Sequence, residues 1–247
     1  MELNFEGKRA LVTGASRGIG RGIAIKLNEL GVNVVAVSKS QSNLEALKRE
    51  VPSIEIVAVD LSDWNQTFKV ISQLGPFHYL INSAANLILE LLDNITAASF
   101  EKLFDVNVKA VLNVTQIVAN GMKKSGIGGS IVNISSVVGN VAFPELSVYS
   151  STKGALNQLT KTMAVEYGPH NIRVNAVAPC LIDTDMAQDS GLLDISKPAI
   201  QTILNRIPLQ RFGEVNDVVD PVIFLLSDMA KYITASILNI DGGYSTW

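Results

Sequence analysis

Short apolar runs alternate with stretches of helical spacing along this chain. Arg9-Ala10-Leu11-Val12-Thr13, Asn33 to Val37, Ile54 to Val59, Tyr79-Leu80-Ile81, Ser130 to Ile134, Ile172 to Ala178 and Ile237 to Ile240 read as strands. These runs are nearly continuous rather than strictly alternating, which is the pattern of strands covered on both faces. Gly18 to Leu30, stopping at Gly31, and Asp63 to Leu74 have helical spacing between them. Ser42-Asn43-Leu44-Glu45 has the spacing of a capping box and predicts a helix start. Repeated strand–helix–strand order predicts an α/β, single-domain, doubly wound Rossmann-like fold with a seven-stranded parallel sheet flanked by helices. No linker rich in Pro, Gly or Ser and no repeat divides residues 1–247.

Two longer helices are predicted at Asp105–Lys124 and Tyr149–Gly168. The first is apolar almost all round, with Val106, Val108, Val111, Leu112, Val114, Ile117, Val118 and Met122. A helix apolar on most faces buries more than one of them, within its own domain or against a second subunit, and the subunit face is the reading favoured. Pro221 inside an expected helix at Val215–Ser227 removes a backbone donor and predicts a kink or a late start.

Composition narrows the partners. The chain is 47% hydrophobic and 17% charged, with a net charge of −3 and no basic stripe. Neither nucleic acid nor a membrane surface is an expected partner, and no run reaches the ~18 apolar residues of a membrane span. Met1 to Lys8 carries Glu2 and Glu6 and no apolar core, so it does not read as a signal peptide. The one cysteine, Cys180, excludes an internal disulfide, and a cytoplasmic location is expected. Cys180 reads either as a small apolar residue at a strand end or as a redox group. His78 and His170 are too few and too scattered for a metal site.

Two motifs carry candidate chemistry. Thr13-Gly14-Ala15-Ser16-Arg17-Gly18-Ile19-Gly20 follows the first strand and opens the first helix. Gly14, Gly18 and Gly20 suit a tight turn and close approach to a pyrophosphate, which the helix N-terminus then meets with free N–H groups. No G-K-[ST] follows, so this is not a P-loop. The second strand ends in Ser38-Lys39-Ser40, where an NAD site would place an acid for the ribose 2′-OH. A cation there, with Arg17 as a second, suits a 2′-phosphate and hence NADPH/NADP+, although Lys39 also reads as a solvated surface lysine. Asp60 is placed either to bind the adenine amino group or to cap the next helix. The second motif is Tyr149-Ser150-Ser151-Thr152-Lys153, which puts a phenol and an ammonium at i and i+4 on one helix face. A nearby lysine is expected to lower the tyrosine pKa and tune it as a general acid.

The glycine loop, Tyr149/Lys153 and a serine upstream at Ser136 together resemble the short-chain dehydrogenase/reductase family, over the whole chain. Asn107 in Val106-Asn107-Val108, Asp60-Leu61, Pro179, Ile182-Asp183-Thr184 and the ending Asp241-Gly242-Gly243-Tyr244 match its pattern. Asn82-Ser83-Ala84-Ala85 departs from its usual Asn-Asn-Ala-Gly, and Cys180 replaces a common glycine.

The resemblance implies an N-terminal cofactor-binding half and a C-terminal catalytic half. Tyr149 is then the proton donor, with Lys153 on the nicotinamide ribose, Ser136 on the substrate oxygen and Asn107 on a relay water. It implies further cofactor contacts at Ser16, Ile19, Leu61, Asn82, Ala84, Pro179, Ile182 and Thr184. Met1-Glu2-Leu3, Asp63-Trp64 and Leu204 to Leu209 resemble the family's reductases of sugars and α-dicarbonyls, implying NADPH-dependent reduction of L-xylulose and diacetyl by a homotetramer. The apolar loop Val137 to Leu146 fits apolar ketones better than a polyol. Reductases of oxoacyl thioesters or steroids, and a cofactor-binding redox sensor without turnover, are the alternatives.

Overall fold

The computed structural model describes residues 4–246; Met1-Glu2-Leu3 and Trp247 lie outside the described residues. Seven strands, β1 (Arg9–Thr13), β2 (Asn33–Ser38), β3 (Glu55–Ala58), β4 (Tyr79–Asn82), β5 (Gly129–Ile134), β6 (Ile172–Pro179) and β7 (Ile237–Ile240), form one parallel sheet in the order β3-β2-β1-β4-β5-β6-β7. Chain order reverses between β1 and β4, the switch point at which such sheets open a crevice beyond their C-terminal strand ends. The inner strands are apolar because each of their faces meets a separate core. One core gathers Ala10, Val12, Val34 and Ala36 with residues of α1 (Gly18–Glu29) and α9 (Val215–Leu226). The other gathers Leu11, Val35 and Leu80 with residues of α5 (Ala110–Ser125) and α6 (Ser147–Tyr167). α2 (Gln41–Glu50), α3 (Trp64–Ile71), α4 (Ala97–Phe104), α7 (Asp185–Asp189) and α8 (Pro198–Arg206) complete the helices.

Three local expectations change. The cap of α2 is Ser40 rather than Ser42: Ser40 Oγ accepts from the Asn43 N–H at 3.3 Å, and Ser42 lies inside the first turn. The expected helix at 105–124 is α4 joined to α5 through a π turn at Asp105–Lys109. α4 starts earlier, at a reciprocal cap between Thr96 and Ser99. α5 buries Val111, Val114, Val118 and Met122 within the chain, so intramolecular packing absorbs much of its apolar excess. α9 shows no late start; it begins at Val215 and continues through Pro221 to Leu226. A reciprocal cap between Glu214 and Asp217 and burial of Val218, Val219, Val222 and Leu225 outweigh the ~3 kcal/mol of an interior proline.

Buried polar side chains pin the layers. Asn82 donates to Thr115 Oγ1 at 3.0 Å and to Asn133 Oδ1 at 2.9 Å, and Asn133 donates to Thr160 Oγ1 at 2.9 Å, tying β4 and β5 to α5 and α6. Arg173 on β6 donates to the carbonyls of Leu225 (2.7 Å), Leu226 (3.2 Å), Ser227 (3.1 Å) and Ile233 (3.3 Å), closing the carbonyl end of α9. Charge-assisted bonds of this kind are worth about 1.5–3 kcal/mol each before desolvation. Arg173→Met is therefore expected to cost about 3 kcal/mol, read as a lower urea midpoint at unchanged m-value; an unchanged midpoint would remove this role.

Candidate active site

The switch point builds one end of the site. Thr13 Oγ1 at the end of β1 accepts from the N–H groups of Ser83 (3.1 Å) and Ala84 (3.2 Å), drawing the loops after β1 and β4 together. The glycine spacing follows from that closeness. Gly14 has φ +65°, and a Cβ there would sit 2.7 Å from the Ala84 backbone. A Cβ on Gly20 would sit 2.4 Å from the Gly14 carbonyl oxygen. α1 begins at Gly18 with Arg17 as an extended N-cap that makes no side-chain cap, so the first-turn N–H groups and the positive dipole end stay available to an anion.

These segments line a cleft of about 840 Å3 that runs from the glycine loop to α6. It gathers Gly14, Ser16, Arg17, Gly18, Ile19, Gly20, Ser38, Lys39, Ser40, Asp60, Leu61, Ala84, Ser136, Tyr149, Lys153, Pro179, Ile182 and Thr184. Asn82 and Asn107 are not among the lining residues. Asn82 is turned into the polar network beneath the sheet. The Asn107 amide is committed elsewhere: Oδ1 accepts from the Asn86 N–H at 2.8 Å, and Nδ2 donates to the Asn86 carbonyl at 3.0 Å and Thr152 Oγ1 at 3.1 Å. It thereby clamps the loop after β4 against α6.

At the adenosine end, Ser16 and Ser38 share a hydrogen bond of 2.8 Å, and Lys39 Nζ lies 2.7 Å from Asp60 Oδ2. Asp60 Oδ1 accepts from the N–H and Oγ of Ser62. Burial works to raise the Asp60 pKa, but hydrogen bonds from Lys39 and Ser62 outweigh it and hold the carboxyl below its usual range. Asp60 does not cap α3; Asp63 does, accepting from the Gln66 N–H at 2.9 Å. Arg17 Nη1 lies 3.2 Å from Asp189 Oδ2 on α7. Uncapped helix N–H groups, a glycine turn without room for a Cβ and two cations on the same cleft together fit a dinucleotide carrying an extra phosphate.

At the other end, α6 sets Tyr149 and Lys153 one turn apart, with Lys153 Nζ 5.4 Å from the Tyr149 ring centroid. Lys153 is 2% exposed, and its Nζ donates to the Ile134 carbonyl at 2.9 Å. Burial pushes the Lys153 ammonium down to about 8 and the Tyr149 phenol up to about 12. The phenol is therefore raised rather than lowered, by the loss of water around a phenolate. The result still suits an acid, because the phenol stays protonated near neutrality. Ser136 follows β5; its Oγ donates to the Pro179 carbonyl at 3.3 Å and accepts from the Val138 N–H at 3.4 Å.

The substrate end is apolar. Val137, Val138 and Leu146 pack with Leu87, Leu89, Phe143, Tyr149 and Cys180. Phe143 stacks on Tyr244 at 5.4 Å, and the Arg206 guanidinium lies 4.6 Å over the Tyr244 ring. Burial raises the Cys180 thiol to about 11, so it is protonated near neutrality, which fits the small apolar reading rather than a reactive thiol. Asn86, Leu87, Met186 and Leu192 also line the cleft and were missed in the sequence. Met186 stands two residues after Thr184, and Asn86 and Leu87 directly follow Asn82-Ser83-Ala84-Ala85, so the motifs pointed at their neighbourhood; Leu192 carries no local signal.

Comparison with known proteins agrees with this geometry. The family model described as "Enoyl-(Acyl carrier protein) reductase" matches residues 14–245. The chain is 48% identical over 245 residues to L-xylulose reductase of Homo sapiens, covering 99% of each. It is 44% identical over 245 residues to Carbonyl reductase [NADPH] 2 of Sus scrofa, again covering 99% of each. The crystal structure of a gluconate 5-dehydrogenase from Burkholderia cenocepacia, in complex with NADP and tartrate, superposes with a TM-score of 0.92 at 30% identity, covering 99% of this chain and 98% of that one. With the glycine loop, Ser136, Tyr149 and Lys153 gathered on one cleft at the switch point, this chain belongs to the short-chain dehydrogenase/reductase family and is an oxidoreductase.

Proposed function

We propose that this protein reduces small carbonyl compounds with NADPH, α-dicarbonyls such as diacetyl and also L-xylulose, with Tyr149 as proton donor. The observation that carries this reading is the placement of Tyr149, Lys153 and Ser136 on the same cleft as an uncapped helix N-terminus flanked by Arg17 and Lys39. When bound, the cofactor supplies the hydride. The Gly18–Gly20 amides hold its pyrophosphate, Arg17, Ser38, Lys39 and Ser40 hold the 2′-phosphate, and Asp60 meets the adenine. Ile182 and Thr184 hold the nicotinamide end. Ser136 turns its hydroxyl from the Pro179 carbonyl to the substrate oxygen, and Tyr149 gives that oxygen its proton as negative charge develops. Lys153 holds the ribose hydroxyls and, as a cation beside the phenol, stabilises the phenolate left behind. The Asn107 side-chain donors are spent on Asn86 and Thr152, so its part in this reading is to hold the loop after β4 against α6 beside the site.

The apolar lining of Val137, Val138, Phe143 and Leu146 favours carbonyls with an apolar flank, because a buried polyol would leave hydroxyls without partners. This favours a second reading of the substrate as a larger apolar ketone, with the chemistry unchanged. A homotetramer in the cytoplasm belongs to the same reading.

Reduction needs a protonated Tyr149 and a charged Lys153. Since burial brings Lys153 down to about 8, kcat/KM for reduction is expected to fall as pH rises through about 8, where the cation that stabilises the phenolate is lost. A profile flat from neutrality to well above that value would contradict the assignment. The function itself is tested by initial rates of NADPH oxidation with diacetyl and with L-xylulose, repeated with NADH. Turnover of both with NADPH supports the full reading. Turnover of diacetyl alone moves the substrate towards apolar carbonyls. Bound NADPH without turnover of any carbonyl would overturn it in favour of a sensor.

A further inference from the structure

We propose that Asp189, on the short helix over the cleft, is a specificity-determining residue for the cofactor: its carboxylate occupies the Arg17 cation that a ribose 2′-phosphate must take. The inference rests on the NADPH reading above and names a residue acting against it. Arg17 and Asp189 lie 172 positions apart in the chain, and their side chains meet at 3.2 Å beside the phosphate loop. The meeting is set by the fold. Thr184 caps α7, and its methyl group lies 3.4 Å from where a Cβ on Gly18 would stand, so α7 starts against the glycine turn and Asp189 ends it near Arg17.

A bound 2′-phosphate and the Asp189 carboxylate are like charges competing for one guanidinium. Both side chains of the ion pair are well exposed, at 49% and 71%, so solvent screens it and a phosphate of higher charge displaces the carboxylate. The displacement still costs the pair, and NADH, which has no 2′-phosphate, never incurs it. Asp189 therefore weakens NADPH selectively. Lys39 shows a matching arrangement with Asp60, but Asp60 also has the adenine to hold, which leaves Asp189 as the carboxylate whose removal isolates the effect.

The test is equilibrium binding of NADPH and of NADH, read by fluorescence titration at low ionic strength, for the wild type, Asp189→Asn, Arg17→Ala and the double variant. Asp189→Asn is expected to tighten NADPH about two- to fivefold, the range of an exposed ion pair, and to leave NADH unchanged. The gain is expected to vanish in the Arg17→Ala background. No change in NADPH affinity, an equal change for NADH, or a gain that persists without Arg17 would each overturn the inference while leaving the cofactor reading intact. A wild type that binds NADH as tightly as NADPH would overturn the cofactor reading itself, and the inference with it.

Discussion

Tyr149→Phe is expected to lower carbonyl reduction by about 10²–10⁴-fold, the usual contribution of a positioned general acid, while NADPH affinity stays within about twofold. The substitution keeps the aromatic ring that packs with Val137, Val138 and Leu146 and removes the one hydroxyl assigned to the proton. Fold and pocket are preserved, so the loss would fall on the chemical step. Tyr149 stands half-buried with a phenol pushed up to about 12, next to a buried ammonium pushed down to about 8. Such a pair keeps the acid loaded near neutrality and places a cation where the phenolate would form. Near-normal turnover in the phenylalanine variant, with initial rates and NADPH binding measured on the same preparation, would move the proton to another donor.

Replacing Arg17 and Lys39 together by alanine is expected to weaken NADPH by about 100-fold or more and NADH by less than about threefold. Charge-assisted bonds to a phosphate are among the stronger polar contacts, and the 2′-phosphate is the feature that separates the two cofactors. Both cations are paired with carboxylates, Arg17 with Asp189 and Lys39 with Asp60, in exposed ion pairs that a 2′-phosphate has to displace. Equal weakening of both nucleotides, measured as dissociation constants, would show that the two cations do not read the 2′ position.

Much of this architecture was legible because burial on both faces of a parallel strand leaves its mark in consecutive residues: Leu11-Val12 and Val34-Val35 each send side chains into two cores. The glycine loop was legible for a similar reason, since glycines are needed where Gly14 meets Ala84 and Gly20 meets Gly14, and Gly18 has a φ of +54°. Tertiary effects were not. No local pattern says that Asn107 spends its amide on Asn86 and Thr152, or that Asn82 turns towards Thr115 and Asn133. The spacing of Tyr149 and Lys153 showed that they are neighbours, yet the direction of the phenol shift depends on how much water the fold removes, which spacing does not encode. Ser42 carried the right residues for a cap, but Ser40, two positions earlier, has the extended backbone a cap requires. Asp189 shows no motif, because its meaning comes from a residue 172 positions away.

The central claim is that this cleft directs a hydride to a carbonyl carbon while Tyr149 delivers the proton. It is tested most directly by following the label from NADPH deuterated on one face of C4 at a time, with diacetyl as acceptor. The account predicts acetoin deuterated at its carbinol carbon from one labelled isomer and unlabelled from the other, because a cofactor held at Ile182, Thr184 and Lys153 presents a single face. Label from neither isomer, or equal label from both, would contradict it.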